Sequence, residues 1–234
     1  MGRPKLDPTA TATATRVVDA AITAFASLGF DGATLADIAA AAGITRPSLL
    51  YHFASKERLY EASLARVFAA IGALIAGATA DVGASGEHDL EEAIVARAQL
   101  LALVEGFAAF AVQEPATARL LLRAIVADDN PATRVLVISQ AVPTIDAVCV
   151  LARRAGAGDA VDLRASVMAI VVDVLARAAA GDAATPLWGR GSPRELAERA
   201  LFGQLLHTSP HTPPHTPPHT QPHTPPHTPP HTEY

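Results

Sequence analysis

At 234 residues, half of them hydrophobic but only 5% aromatic, the chain can bury a sizeable core of Ala, Leu, Val and Ile, a composition that favours helices. Residues 1–68 hold seven Lys and Arg against six Asp and Glu, residues 69–206 hold eleven against sixteen, and residues 207–234 add one Glu, giving a net charge of −5. This excludes a broad cationic field, so any nucleic acid must be gripped through a few placed cations and backbone amides.

Residues 1–12 carry no periodic apolar face and form a flexible basic arm. Within it, Gly2-Arg3-Pro4-Lys5 suits either a solvated terminus or an arm laid in an A·T-rich minor groove, with Arg3 as the contact. Arg3, Lys5 and Asp7 lead into a Thr/Ala run rather than an apolar core, so no signal peptide is read. A first helix is predicted from about 13 to 28, with Val18, Ala21, Ile22 and Phe25 on one side. Gly29 closes it, and Phe30 folds back onto that face.

Thr34 caps a second helix starting at Leu35, and Asp37 can reach back to its free amides. Gly43 ends that helix in a left-handed conformation. Thr45 then caps a short helix that tolerates Pro47 in its first turn. Leu49 and Phe53, four apart, give this helix one buried side, leaving Arg46, Ser48, Tyr51 and His52 on the others. Two helices crossing through a Gly turn, the second edged in this way, suit insertion of that helix into a DNA major groove.

Ser55 caps a long helix from Lys56 to about 82, the connector between a DNA-binding unit at 13–55 and a regulatory and dimerising bundle at 56–206. Its longest uncharged, mainly apolar run, Val67 to Ala80, is 14 residues and falls short of a membrane span, so a soluble, cytoplasmic protein is expected. Further helices are predicted at about 88–113, 116–127, 132–155, 160–180 and 193–206, with Pro143 kinking or splitting the third of this set. The chain has a single cysteine, Cys149, in the apolar setting Ala-Val-Cys-Val-Leu. It excludes an internal disulfide framework and reads as a packed thiol. No strand pattern appears, so the fold class is all-α. The polar residues Gln99, Glu105, Gln113 and Gln140 stand in apolar surroundings and are candidate pocket orienters, or else solvated outer-face residues. Asp173 pairs with Arg177 four residues on.

Residues 207–234 are tandem HTPP-type tetrapeptides with nothing apolar to bury, and a disordered tail of polyproline character is expected. Metal binding through His211, His215, His219 and His223 would need the chain to fold back, because residues four apart in a polyproline helix are separated by roughly 12 Å.

The run GITRPSLLYHFASKERL at 43–59 closely resembles the tetracycline-repressor (TetR) family of bacterial transcriptional regulators. The match reaches back through Thr34-Leu-Ala-Asp-Ile-Ala and the Ala-Phe-Ala-Ser-Leu-Gly-Phe end of the first helix, covering about residues 13–66. The resemblance implies a homodimer, paired through helices 160–180 and 193–206, that binds a near-palindromic double-stranded operator and represses transcription. A small lipophilic effector enclosed by the second domain releases it. By the same resemblance Thr34 touches a phosphate, and Thr45, Arg46 and Ser48 meet base edges or adjacent phosphates. Tyr51 and His52 grip the backbone, and Lys56 meets another phosphate. Two positions depart from the pattern: Pro47 where a small residue is usual, and Leu50 where Tyr is usual. Leu50 can press instead on a thymine methyl.

Two other functions compete. A metal- or pH-responsive regulator would act through the His-rich tail, whose imidazoles gain charge together below about pH 6.5. A helical enzyme finds little support, because no H-x-x-x-H pair, Gly-rich phosphate loop or Cys/His or Ser/His set at motif spacing is present and no cofactor is implied.

Overall fold

In the computed structural model, the described residues are 8–79, 90–126, 131–158 and 162–203. Arg3 and the whole HTPP tail, including His211, His215, His219 and His223, lie outside them. Among the described residues the structure is helical, without strands: α1 (Pro8–Gly32), α2 (Leu35–Ala41), α3 (Arg46–His52), α4 (Lys56–Thr79), α5 (Leu90–Gln113), α6 (Pro115–Val126), α7 (Pro131–Arg154), α8 (Leu163–Ala180), a 3-10 turn (Gly181–Ala183), α9 (Ala184–Trp188) and α10 (Pro193–Phe202).

Several boundaries differ from the sequence expectation. The first helix starts at Pro8, inside the segment read as a flexible arm. Proline suits a first turn whose amides have no partner, and the Thr/Ala run that follows carries helix without a periodic apolar face. Gly29, at φ +75°, closes the regular path of this helix as expected, and a separate short turn follows to Gly32. Pro143 does not split α7, which runs unbroken from Pro131 to Arg154. Proline removes one N–H from a 24-residue ladder, while both halves stay anchored by Val137 on one side and Cys149, Leu151 and Ala152 on the other. Two hydroxyls beside the proline bond locally, Ser139 Oγ to the Leu136 carbonyl at 2.7 Å and Thr144 Oγ1 to the Gln140 carbonyl at 2.9 Å. The short α9 was not predicted, because five residues with Pro186 inside them carry no periodicity.

The front unit is α1 to α3, closed by α4. Val17, Ala21, Phe25, Ile38, Leu49 and Leu59 are fully buried there. Phe25 meets Tyr60 edge-on at 4.8 Å and Phe30 at 6.1 Å, so Phe30 does fold back onto the first helix and ties it to the start of α4. The remaining helices form a bundle in which α8 packs against α5, α6, α7 and α10. Two helices bridge the units: α4 packs on α1, α5 and α7, and α6 lies against both α1 and α8.

By length and hydropathy alone, α4, α5 and α7 each contain a stretch able to cross a membrane, contrary to the expectation from the 14-residue uncharged run. In this fold the same helices supply the buried Leu64, Leu100 and Leu151. Cys149 is buried and free, as expected of a packed thiol, and desolvation pushes its pKa up. Asp173 and Arg177 pair at 2.7 Å. Arg177 also donates to the Gly191 carbonyl and faces the Trp188 ring, so this pair fixes the loop after α9.

Candidate nucleic-acid interface and apolar cavity

The α2–turn–α3 unit is built by its caps. Thr34, in an extended conformation, accepts the Asp37 amide at 3.1 Å and donates its hydroxyl to the Asp37 carboxylate at 2.6 Å. Asp37 therefore holds the capping hydroxyl itself. The Thr34 proton is engaged inside the protein, and a phosphate at this corner would meet free first-turn amides instead. At the other end, the Gly43 amide bonds to the Ala40 carbonyl and the Ile44 amide to the Ala39 carbonyl, each at 3.0 Å, with Gly43 at φ +68°. This left-handed closure sends the chain back across α2 and seats Ile44 against the core. Thr45 then accepts the Ser48 amide at 3.4 Å and starts α3, with Pro47 in the first turn.

Leu49 is completely buried on α3 and fixes which side faces away. The outward side presents Arg46, Pro47, Leu50 and Tyr51, with Thr45 exposed at its start and Ser48 half-buried. Leu50 is 37% exposed and Tyr51 86%, so both side chains are available at the surface. His52 is half-buried and meets the Tyr51 ring edge-on at 5.5 Å. Lys56, at the mouth of α4, lies 4.7 Å over the Phe30 ring and donates one hydrogen bond to the Asp31 carbonyl at 3.2 Å, leaving two of its three donors unused by that bond. Ser55 caps the same helix by accepting the Arg58 amide. Its side chain is also the main influence holding the Glu57 carboxyl below the usual range. Thr45, Arg46, Leu50 and Tyr51 are thus exposed on or beside α3, whose Leu49 is buried, and Lys56 stands at the start of the next helix.

A second feature lies among α4, α5, α6, α7, α8 and α10: a cavity of about 310 Å³. Phe68, Leu103, Phe107, Leu121 and Ile145 are among its walls, and Thr144 is the single polar side chain in its lining. Ile138 both lines the cavity and is 60% exposed, which places an opening on the α7 side. None of the four polar residues read either as pocket orienters or as outer-face residues is in its lining. Glu105 points outward and pairs with Arg194 at 2.9 Å, while Gln113 and Gln140 are exposed. Gln99 is half-buried, with its Oε1 enclosed and unpartnered, away from the cavity wall. A polar residue among apolar neighbours on a helix takes whichever side its angle dictates, which for Glu105, Gln113 and Gln140 is the outer one. The lining residues of α7 were not anticipated. The signal available was the uncharged stretch 135–145, interrupted only by Ser139, Gln140, Pro143 and Thr144.

Among the described residues no group of three His, Cys, Asp or Glu side chains could hold a metal ion.

Residues 17–63 match the family of bacterial regulatory proteins, tetR family. The biofilm operon icaADBC HTH-type negative transcriptional regulator IcaR of Staphylococcus aureus is 49% identical over 49 residues, 21% of this chain and 26% of that protein. The match therefore spans about a quarter of the curated relative's length. Two solved structures share the wider fold: a TetR-like transcriptional regulator from Rhodococcus sp. RHA1 (TM-score 0.63, 23% identity, 83% of this chain and 96% of that one), and AibR in complex with isovaleryl coenzyme A and operator DNA (TM-score 0.58, 16% identity, 80% and 94%). Residues 17–63 therefore match a tetR-family DNA-binding segment, and the helical fold of the chain is one shared with solved TetR-like regulators.

Proposed function

We propose that this protein is a dimeric transcriptional repressor that inserts α3 into the major groove of a near-palindromic operator and is released by a small lipophilic effector. The observation that carries it is the outward side of α3: Arg46, Leu50 and Tyr51 are held out to solvent by the buried Leu49 behind them. Arg46 and Thr45 supply donors for base edges or phosphates, Tyr51 and the free protons of Lys56 supply phosphate contacts, and Leu50 supplies an apolar surface for a thymine methyl. The negative regulator IcaR, alike over this same segment, supports repression as the direction of control. AibR, described with both operator DNA and an acyl coenzyme A, supports pairing such a domain with an effector site on this fold.

Two bridging helices give the release its physical route. The α4 helix begins at the proposed phosphate contact Lys56 and lines the cavity farther on through Phe68, Ile71, Leu74 and Ile75. The α6 helix lines it through Leu121 and Ile125 while its Arg123 lies against the Gly29 break in α1. A ligand that favours one packing of these helices would change the separation of two α3 helices in a dimer, which must match half-sites about 34–36 Å apart. Dimerisation is assigned to α8 and α10. A gel-shift assay with the DNA upstream of the protein's own gene tests this function. A salt-sensitive, sequence-preferring complex with two proteins per site is expected; binding that does not distinguish that DNA from a scrambled duplex would reject it.

A further inference from the structure

We infer that the cavity accepts an uncharged, mainly hydrocarbon molecule whose one polar group is a hydrogen-bond donor, such as a medium-chain alcohol, and that it rejects carboxylates and acyl thioesters of coenzyme A. This rests on the ligand-responsive function proposed above and narrows it to a chemical class. The walls come from six helices, yet no Lys, Arg, His, Asp or Glu contributes to them. An anion entering such a site would lose its hydration without gaining a counter-ion, which strongly disfavours the charged form. The only polar side chain in the lining is Thr144, and its hydroxyl proton is already donated to the Gln140 carbonyl at 2.9 Å. What Thr144 can offer a ligand is a lone pair, so it satisfies an O–H or N–H and leaves a ligand carbonyl without a donor.

Size narrows the class further. A cavity of about 310 Å³ is at the small end of the sizes typical of ligand sites. The AibR structure, by contrast, is described with isovaleryl coenzyme A, whose phosphates would find no cation on these walls.

Calorimetric titration of the full-length protein with 1-decanol, decyl methyl ether, decanoate and decanoyl coenzyme A at neutral pH, each below its micellar concentration, tests the inference. Decanol is expected to bind at least tenfold more tightly than decanoate or the thioester, and several-fold more tightly than the ether, which has the chain but no donor. Thr144→Val should bring decanol down to the affinity of the ether while leaving the ether unchanged. If that variant does not fold, the wild-type preference for decanol over the ether decides the same point. Decanoate or the thioester binding as tightly as decanol, or no binding by any of the four, overturns the inference. Decanol that binds without releasing operator DNA supports the cavity's chemistry and counts against the release mechanism. Intact operator binding with no uptake of decanol overturns the inference and leaves the DNA-binding function standing.

Discussion

Thr45 does two jobs through one side chain. Its hydroxyl accepts the Ser48 amide to start α3, and its exposed position puts it at the edge of the proposed groove contact. Thr45→Ala should lower stability by about 1 kcal/mol through the lost cap, measurable in urea unfolding, and weaken operator binding as well. Thr34 is different, because its proton already belongs to Asp37, so its replacement should be felt through the cap more than through DNA. Cys149 gives a prediction with a pH sign. Desolvation raises its thiol pKa in the folded state, so the associated stability is fully present below the thiol's ordinary value and is lost as pH rises through the raised one. Native protein at pH 8 should therefore resist iodoacetamide at this position, with fast labelling appearing only in denaturant. Rapid labelling of the native form would contradict its burial.

Among the elements, those most legible in the sequence are the ones whose ends are set by local chemistry. Thr34, Gly43, Thr45 and Pro47 act within a few residues of themselves, and α2, its turn and α3 fall where those residues predict. Gly43→Ala should destabilise by about 1–2 kcal/mol, the cost of a Cβ in the left-handed region. Open space around that position means no steric clash adds to it. A thermal melt unmoved by the substitution would show that the turn is not held as described. Legibility fails where partners are distant in sequence. Glu105 reads as either a pocket residue or an outer-face one, and the partner that decides it, Arg194, lies 89 residues away. The persistence of α7 through Pro143 depends likewise on packing at both its ends, which local propensity does not encode. Gly29 combines both kinds of information, because its φ of +75° is a local requirement while the contact with Arg123 is a tertiary one. A Cβ there would stand 3.0 Å from Arg123 Nη1, so Gly29→Ala should destabilise, and Arg123→Ala should restore only a little, since the backbone penalty persists when the guanidinium is gone. Full rescue in that double variant would assign the cost to the contact instead.

On the scale of the whole molecule, the protein places a narrow polar-and-aromatic contact at one end and an uncharged cavity within the bundle, with α4 and α6 reaching both. The overall charge of −5 is uneven along the sequence, because residues 1–68 are close to neutral and the acidic excess falls within residues 69–206. DNA affinity must then come from a handful of side chains, which makes it unusually sensitive to single replacements on α3 and only moderately dependent on salt. The direct test is fluorescence anisotropy on the upstream DNA with wild type, Arg46→Ala and Tyr51→Ala, alongside thermal melts of each. Both positions are exposed, so stability should stay within about 0.5 kcal/mol of wild type. Affinity should fall at least tenfold in each variant. Unchanged affinity in both, with wild type bound, would contradict the assignment of α3 as the helix that reads DNA.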